Sequence, residues 1–570
     1  MGAALLLALA FGTLASVRLN RPGFFDNEGR YAEVAREMLV RHDLVTPEMN
    51  QTLFLNKPPL MYWLAAGAFA LGATDEWARV ASVLAATVSV FLTCRLGARL
   101  FDGATGLLAG AFLATMFGFV LESRTLRPDG VLVASVVAAL YCWRGAEDSR
   151  GAADSTGRRR TAWLTLSWAS LAIGFMAKGA VPVAVVAIPV VVCTLRDHGW
   201  RGLWRLRPVL GIAVFLLIAA PWHVAVAMRH PGFAWDYVVN QHLLFFLDKK
   251  LPRDSQGDPL TVFWSMFFGR TLPWIVLVPF TVREARRGLR PDASEIDRSV
   301  FFCWVWTAGV MLMFSAAPSR LEHYSLPTLP AVALLAARGA RRLAAGMVGR
   351  LAWAWLGALA VVLLVAGGVG GLWGRELLER VYWIKAMPDL LDLLPPSATV
   401  TLLGGALLAW AVYRRTAAGV AVALVVVGLP MMAIVVRAQA DAEPFFSWRP
   451  LAQVIDAHIP GSVDIVFESP EEYQQVGGLA YYTRRRITML APPRFTPPTY
   501  LEPYRDALFL QRADFARRWG GPDTVAFVSD PQRRRDTPEG LVPGPFHVLD
   551  RSGDRWLLTN RDMSGTRSAG

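Results

Sequence analysis

The chain has 570 residues, 54% hydrophobic and only 18% charged, against roughly 25% charged in soluble domains. That balance excludes an ordinary soluble enzyme. A formal charge of +13 would suit a nucleic-acid binder, but the basic residues fall between apolar blocks instead of forming one patch, so no nucleic-acid partner is expected.

Residues 3–16 read as a first membrane span and not a signal peptide, because no basic run precedes them and many apolar stretches follow. The missing basic run also leaves an upstream start open. Spans need about 20 mostly apolar residues, somewhat fewer when tilted or buried. The candidates are 2–17, 78–98, 105–121, 130–143, 161–177, 180–195, 208–227, 262–281, 300–314, 325–339, 351–373, 398–412 and 417–436, about thirteen in all. Residues 60–72 are apolar too, but they are short and follow Pro58-Pro59, which predicts a helix lying at the membrane surface. Trp143, Trp163, Trp204, Trp222 and Trp274 sit at block ends, where interfacial aromatic residues belong. Cys94, Cys142, Cys193 and Cys303 lie in or beside apolar stretches and offer no disulfide or metal framework.

Short loops retain Lys and Arg on the cytoplasmic side. With the first span running outward, that side holds Arg95 and Arg99; Arg144 and Arg158–Arg160; Arg196–Arg207; Arg283–Arg290; Arg338–Arg342; and Arg414-Arg415. Arg18 and Arg21 conflict, against six agreeing loops. This orientation puts residues 18–77, 228–261 and everything after about 437 outside. The last part changes character: 463–467 and 524–528 read as strands and 512–519 as a helix. The fold class is therefore an all-α polytopic membrane unit over 1–436 followed by an extramembrane α/β domain over 437–570, with the proline-rich 491–503 running over that domain's surface.

The chemistry-bearing residues gather in five outer elements. The first is Asp26-Asn27-Glu28-Gly29-Arg30-Tyr31, opening an amphipathic helix. A helix N-terminus supports negative charge there, although a capped surface helix gives the same pattern. The second is Asn56-Lys57-Pro58-Pro59, whose lysine suits either a lipid phosphate or a snorkelling role. Asp129, in the turn at 122–130, is costly at a helix mouth without a partner or cavity. His223, His230 and His242 invite a metal reading, yet none has a second ligand at i, i+4. Arg320, His323 and Tyr324 are suited to phosphate or sugar, or form a polar turn. All five fall on one side under an orientation derived without them.

Taken in order, these elements resemble the GT-C glycosyltransferases of the ArnT type, related to the dolichyl-phosphate-mannose protein mannosyltransferases. The matching stretches are E-G-R-Y-A-E-x-A-R-E-M from Glu28, K-P-P-x-x-Y-W from Lys57, R-T-x-x-x-D ending at Asp129, P-W at Pro221, P-G-F at Pro231, His242, G-x-x-L-P-W from Gly269 and S-R-x-x-x-Y-x-L-P from Ser319. The resemblance implies a GT-C fold with about thirteen spans and sugar transfer from a polyprenyl-phosphate donor. The implied acceptor is an envelope molecule on the outer face, lipid A or another glycolipid before protein or polysaccharide. The implied location is a bacterial inner membrane, with the outer domain periplasmic. It implicates Asp26, Glu28 and Asp129 as catalytic carboxylates, and Arg30, Tyr31, Lys57, Arg320 and Tyr324 in binding donor phosphate and lipid. His242 is implied as a ligand to a divalent metal, and no organic cofactor is expected. Three departures bear on specificity. Asn27 precedes Glu28 where the family has aspartate, so Asp26 or Glu28 carries the first carboxylate. Asn56 replaces a metal-binding glutamate, and Phe245 stands where an arginine is usual. These changes weigh against an aminoarabinose donor, or for altered lipid contacts. A transporter or flippase and a catalytically inactive scaffold stay open as alternatives.

Overall fold

A computed structural model describes residues 1–149, 157–251, 257–381, 387–468, 473–492, 496–529 and 537–563. Helices follow the apolar blocks: α1 Gly2–Ser16, α2 Asp26–Val40, α3 Leu60–Ala70, α4 Val80–Leu100, α5 Gly103–Ala114, α6 Phe117–Ser123, α7 Pro128–Asp148, α8 Arg158–Lys178, α9 Val181–His198 and α10 Pro208–Arg229. After a π-helical turn over Asp236–Leu244 come α11 Leu260–Thr271, α12 Val282–Arg287, α13 Glu295–Ala316, α14 Leu329–Ala344, α15 Arg350–Leu378, α16 Leu394–Arg414 and α17 Ala417–Asp441. Local chemistry sets several starts. Asp102 accepts the Thr105 N–H at 2.8 Å to cap α5, and Pro128 supplies a preset φ in the first turn of α7.

Among the described residues, eight helices are long and apolar enough to cross a membrane, and ten if two bent pairs each count once. The chain is a multi-pass membrane protein, but its spans are less uniform than the hydropathy pattern predicts. The expected spans 105–121 and 262–281 are broken, α5 meeting α6 at 66° and α11 meeting the Trp274–Arg287 segment at 98°. Three further expected spans form α1, α8 and α14, which do not reach the same standard. Helix α1 has 15 residues, and α8 opens with Arg158, Arg159 and Arg160. Helix α14 has 16 residues, and Leu329 through Ala337 are all buried by neighbouring helices, so its apolar character serves protein packing. The apolar 60–72 stretch does form a helix, α3.

Beyond α17, the short helices α18 Arg449–His458, α19 Gly477–Thr483 and α20 Arg512–Trp519 surround a five-stranded sheet. A small hairpin in the first outer segment supplies β1 Glu48–Met49 and β2 Thr52–Leu53, so the sheet comprises β3 Asp464–Phe467, β4 Thr488–Met489, β5 Val525–Val528, β6 His547–Ser552 and β7 Arg555–Thr559. Its order is β4-β3-β5-β7-β6, parallel at β4-β3-β5 and antiparallel beyond. The strands at 463–467 and 524–528 and the helix at 512–519 thus form as the sequence predicts.

The domain is not a separate appendage. Phe24, Tyr62, Trp448, Phe467 and Tyr481 share one core that joins it to the first outer segment. Helices α2 and α19 touch backbone to backbone, since a Cβ on Gly29 would lie 2.4 Å from the Gly478 Cα. The proline-rich connector also departs from expectation. Its described part buries Tyr500 and Leu501, and the Thr499 hydroxyl donates to the Gly232 carbonyl at 2.9 Å, because aromatic and apolar residues among the prolines anchor it inward. All four cysteines are free and buried.

Candidate active site

The N-terminus of α7 and the C-terminus of α8 meet at the end of the bundle that carries the sheet domain. Asp129 lies in the first turn of α7, where the helix dipole favours an anion, and Lys178 closes α8, where it favours a cation. Lys178 Nζ donates to Asp129 Oδ1 at 2.5 Å, and the Asp129 side chain is only 2% exposed. Arg127 Nε stands 3.9 Å from the other oxygen and also pairs with Glu122 at 3.7 Å. The partner that the cost of a buried aspartate demands is therefore Lys178. No local pattern announces this partner, because a lysine ending an apolar helix looks like ordinary snorkelling.

Around this pair stand the other candidates. Arg30 donates to Asn27 and Gln474, its guanidinium lies 5.9 Å from the Tyr31 ring, and its Nε is buried with no partner among the described residues. Tyr31 packs on Tyr62 with ring centres 5.6 Å apart. Lys57 has no hydrogen bond or ion pair among the described residues. Burial, reinforced by Lys178 and Arg30, pushes its ammonium down to about 8. Lys250 is a further amine within electrostatic reach of Lys57 and Arg30. Tyr324 places its ring 5.1 Å from Lys178 Nζ, and burial raises its phenol. Arg270 donates to the backbone and side chain of Glu322, the latter at 3.0 Å, while the Glu322 carboxylate meets His323 Nδ1 at 3.1 Å. Cations thus outnumber carboxylates here, an arrangement suited to an anionic ligand.

Two expectations are corrected, and a third lies outside the described residues. Glu28 is 1% exposed and accepts from Arg79 at 2.8 and 2.6 Å, from the Leu126 N–H at 2.6 Å and from the Phe25 N–H at 3.0 Å. With its lone pairs committed, it is a structural anchor and not a free catalytic carboxylate. Arg320 spends its guanidinium on the carbonyls of Phe314, Ser315 and Asp258 at 3.4, 3.1 and 3.0 Å, so its donors are taken up within the fold. Asp26 opens α2, but its side chain lies outside the described part of the structure.

The metal site implied at His242 does not fit the residues present. His242 Nδ1 donates to the Tyr237 carbonyl at 2.6 Å, and its Nε2 accepts the Ala180 N–H at 3.2 Å, so both nitrogens are engaged. Lys57 is close enough to lower the imidazole's proton affinity further, after burial. Among the described residues Asn56 Oδ1 is buried without a partner, and no three His, Cys, Asp or Glu side chains converge. His223 and His230 are engaged separately, with the Ala219 carbonyl at 2.7 Å and Thr46 Oγ1 at 3.3 Å.

Residues 56–224 match the family model for dolichyl-phosphate-mannose-protein mannosyltransferases. The undecaprenyl phosphate-alpha-4-amino-4-deoxy-L-arabinose arabinosyl transferase of Erwinia tasmaniensis is 29% identical over 356 residues, covering 60% of this chain and 61% of that protein. The Pectobacterium atrosepticum protein of the same name is 30% identical over 358 residues, covering 61% of this chain and 59% of its own length. The chain therefore spans about three fifths of these relatives. The crystal structure of ArnT from Cupriavidus metallidurans bound to undecaprenyl phosphate superposes with a TM-score of 0.75 at 22% identity, covering 98% of this chain and 97% of that one. Broken spans, outer helices and a small sheet domain sharing their core together give this multi-pass membrane protein the GT-C fold of ArnT, whose named relatives it resembles in sequence.

Proposed function

We propose that the protein is an integral membrane glycosyltransferase that moves a sugar from a polyprenyl-phosphate donor to an envelope acceptor, first of all lipid A or another glycolipid. The observation that carries this reading is the buried Asp129–Lys178 pair beside a group of cations in which Lys57 has no hydrogen bond or ion pair among the described residues. The names of the similar proteins, which specify an undecaprenyl-phosphate-linked sugar, support a lipid-phosphate donor.

In this reading the acceptor hydroxyl oxygen bonds to the anomeric carbon while the bond from that carbon to the phosphate oxygen breaks. The departing polyprenyl phosphate takes the electron pair, and Lys57, Arg30 and Lys178 stabilise its charge. Asp129 orients Lys178 and sets the local field. Tyr31 and Tyr324 supply aromatic walls. The arginine-rich loops at the opposite end support a bacterial inner membrane orientation with this site and the outer domain periplasmic.

The test is purified protein incubated with a panel of polyprenyl-phosphate sugars and membrane-lipid extract, with and without divalent metal, scoring released polyprenyl phosphate. Release that requires both donor and extract is the expected result. Asp129→Asn and Lys57→Ala should abolish transfer while the protein still accumulates in membranes; wild-type transfer by both would remove the assignment.

A further inference from the structure

We infer that His323 is the general base that removes the acceptor's proton, held for that task by Glu322 and Arg270. The assignment rests on the glycosyl-transfer reading above and names a catalytic group within it.

Asp129, one of the carboxylates the resemblance implicates, is poorly arranged for this role. One oxygen is held by the Lys178 ammonium at 2.5 Å, the other faces Arg127, and almost none of the side chain meets solvent. Taking up a proton there would dismantle a buried ion pair. Glu28 is fully committed to Arg79 and two backbone N–H groups.

His323 has the opposite situation. Its Nδ1 meets Glu322 Oε2 at 3.1 Å. A carboxylate accepts there, so Nδ1 carries the hydrogen and the lone pair lies on Nε2, which has no partner among the described residues. Glu322 is itself fixed: Arg270 holds Oε1 at 3.0 Å, and the Glu322 N–H donates to Asp258 Oδ2 at 2.6 Å. This is the base-and-orienter logic by which a carboxylate fixes an imidazole tautomer and steadies the imidazolium that forms. Placement agrees. His323 lies within electrostatic reach of Asp129, Lys178 and Arg127, and its ring adjoins that of Tyr324.

The charges around the imidazole also tie its basicity to donor binding. Burial first, then Arg127 and Lys178, push His323 down to about 4, against the opposing pull of Asp129 and Glu322. An incoming phosphate would neutralise the same cations and raise the proton affinity of Nε2 when the base is needed. In the step itself, the acceptor O–H proton passes to Nε2 as oxygen bonds to the anomeric carbon and the phosphate departs with its electron pair. The imidazolium then releases that proton to solvent.

The experiment compares wild type, His323→Gln and Glu322→Gln in the polyprenyl phosphate release assay from pH 4 to 9, alongside binding of polyprenyl phosphate alone. His323→Gln should bind polyprenyl phosphate within about threefold of wild type, lower kcat by about 100- to 10,000-fold and lose the acid limb of the kcat profile. In the wild type that limb should lie at higher pH for kcat than for kcat/KM, because donor is bound in the former. Glu322→Gln should keep binding but lower kcat by roughly tenfold or more and move the limb. A His323→Gln enzyme that binds and turns over like wild type, with its acid limb intact, overturns the assignment. No turnover by folded, donor-binding wild type would instead overturn the glycosyl-transfer reading.

Discussion

Arg79 grips Glu28 through two parallel hydrogen bonds, Nε to Oε1 at 2.8 Å and Nη2 to Oε2 at 2.6 Å, and uses its remaining donors on the carbonyls of Leu19, Pro22 and Gly23. Both side chains are buried, so the pair fixes the chain between α1 and α2 onto the start of α4. Removing one member leaves an uncompensated buried charge, which costs about 3–5 kcal/mol. Arg79→Ala and Glu28→Ala should therefore reduce the amount of protein in membranes and lower its thermal midpoint. The paired Arg79→Met/Glu28→Met variant should recover part of that loss. A Glu28→Ala protein with a wild-type midpoint and no transfer would show that the carboxylate works in chemistry instead.

The contrast between Glu28 and Asp129 shows what a sequence can convey. Both are carboxylates at helix starts within a family-like motif, and both are predicted to be catalytic. Which one is used up is decided by residues far along the chain: Arg79 for the first, Lys178 for the second. No local pattern announces either pairing. The strands at 463–467 and 524–528 were legible because their apolar runs are short and bounded by turn residues. By contrast, β6 carries exposed His547 and Val548 and alternates weakly, so its pairing with β7 was not. The helix break at Leu272-Pro273 was hidden because hydropathy counts apolar residues without sensing a bend. The gathering of the motif elements at one end of the bundle was legible because loop charge is independent of the motifs themselves.

Lys57 and Arg320 should part company when mutated. Lys57 is a cation with no hydrogen bond or ion pair among the described residues, whereas Arg320 ties three backbone carbonyls. Loss of one charge-assisted hydrogen bond to phosphate is worth about 1.5–3 kcal/mol, or roughly 10- to 150-fold in affinity. Lys57→Ala should weaken polyprenyl phosphate binding by that factor with an unchanged thermal midpoint. Arg320→Ala should instead lower the midpoint, while any protein that folds keeps its affinity. The two are separated by titrating binding and melting on the same preparations; a reversed pattern would return Arg320 to the phosphate site.

Glu37 predicts a pH dependence of stability. It lies one turn from Glu33 on α2, its Oε2 is buried with no partner among the described residues, and its Oε1 accepts the Gln51 N–H at 2.9 Å. Burial, with Glu33 adding to it, pushes its carboxyl from 4.5 up to about 7 despite the opposing Gln51 bond and Arg36. Between those values the folded protein holds a proton that the unfolded chain has released. Stability from this group therefore falls as pH rises through that window. Wild type should melt at a higher temperature at pH 5.5 than at pH 8, and Glu37→Gln should reduce that difference. A Gln variant with the full wild-type pH dependence would assign the effect to another group.

Asn50 joins the first outer segment to the sheet domain in a way that can be tested by its side chain and its backbone separately. Asn50 and Gln51, with φ of 54° and 57°, form the two-residue turn between β1 and β2, a conformation asparagine tolerates better than most residues. The same buried side chain clamps Ile487, donating Nδ2 to its carbonyl at 2.9 Å and accepting its N–H at 2.8 Å. Asn50→Gly keeps the turn and loses the clamp; Asn50→Ala loses the clamp and strains the turn. Both leave the Ile487 N–H and carbonyl buried without these partners, at a cost of about 1–3 kcal/mol each. Both variants should therefore melt lower and expose the outer domain to protease, with Ala worse than Gly. Asn50→Asp should also suffer, since a carboxylate cannot donate to the Ile487 carbonyl and brings a charge into a buried site. If Gly matches wild type and only Ala is impaired, the turn alone matters at this position, and the domain is held by its other contacts, including Tyr482 with Glu76 and Tyr473 with the Leu53 carbonyl at 3.1 Å.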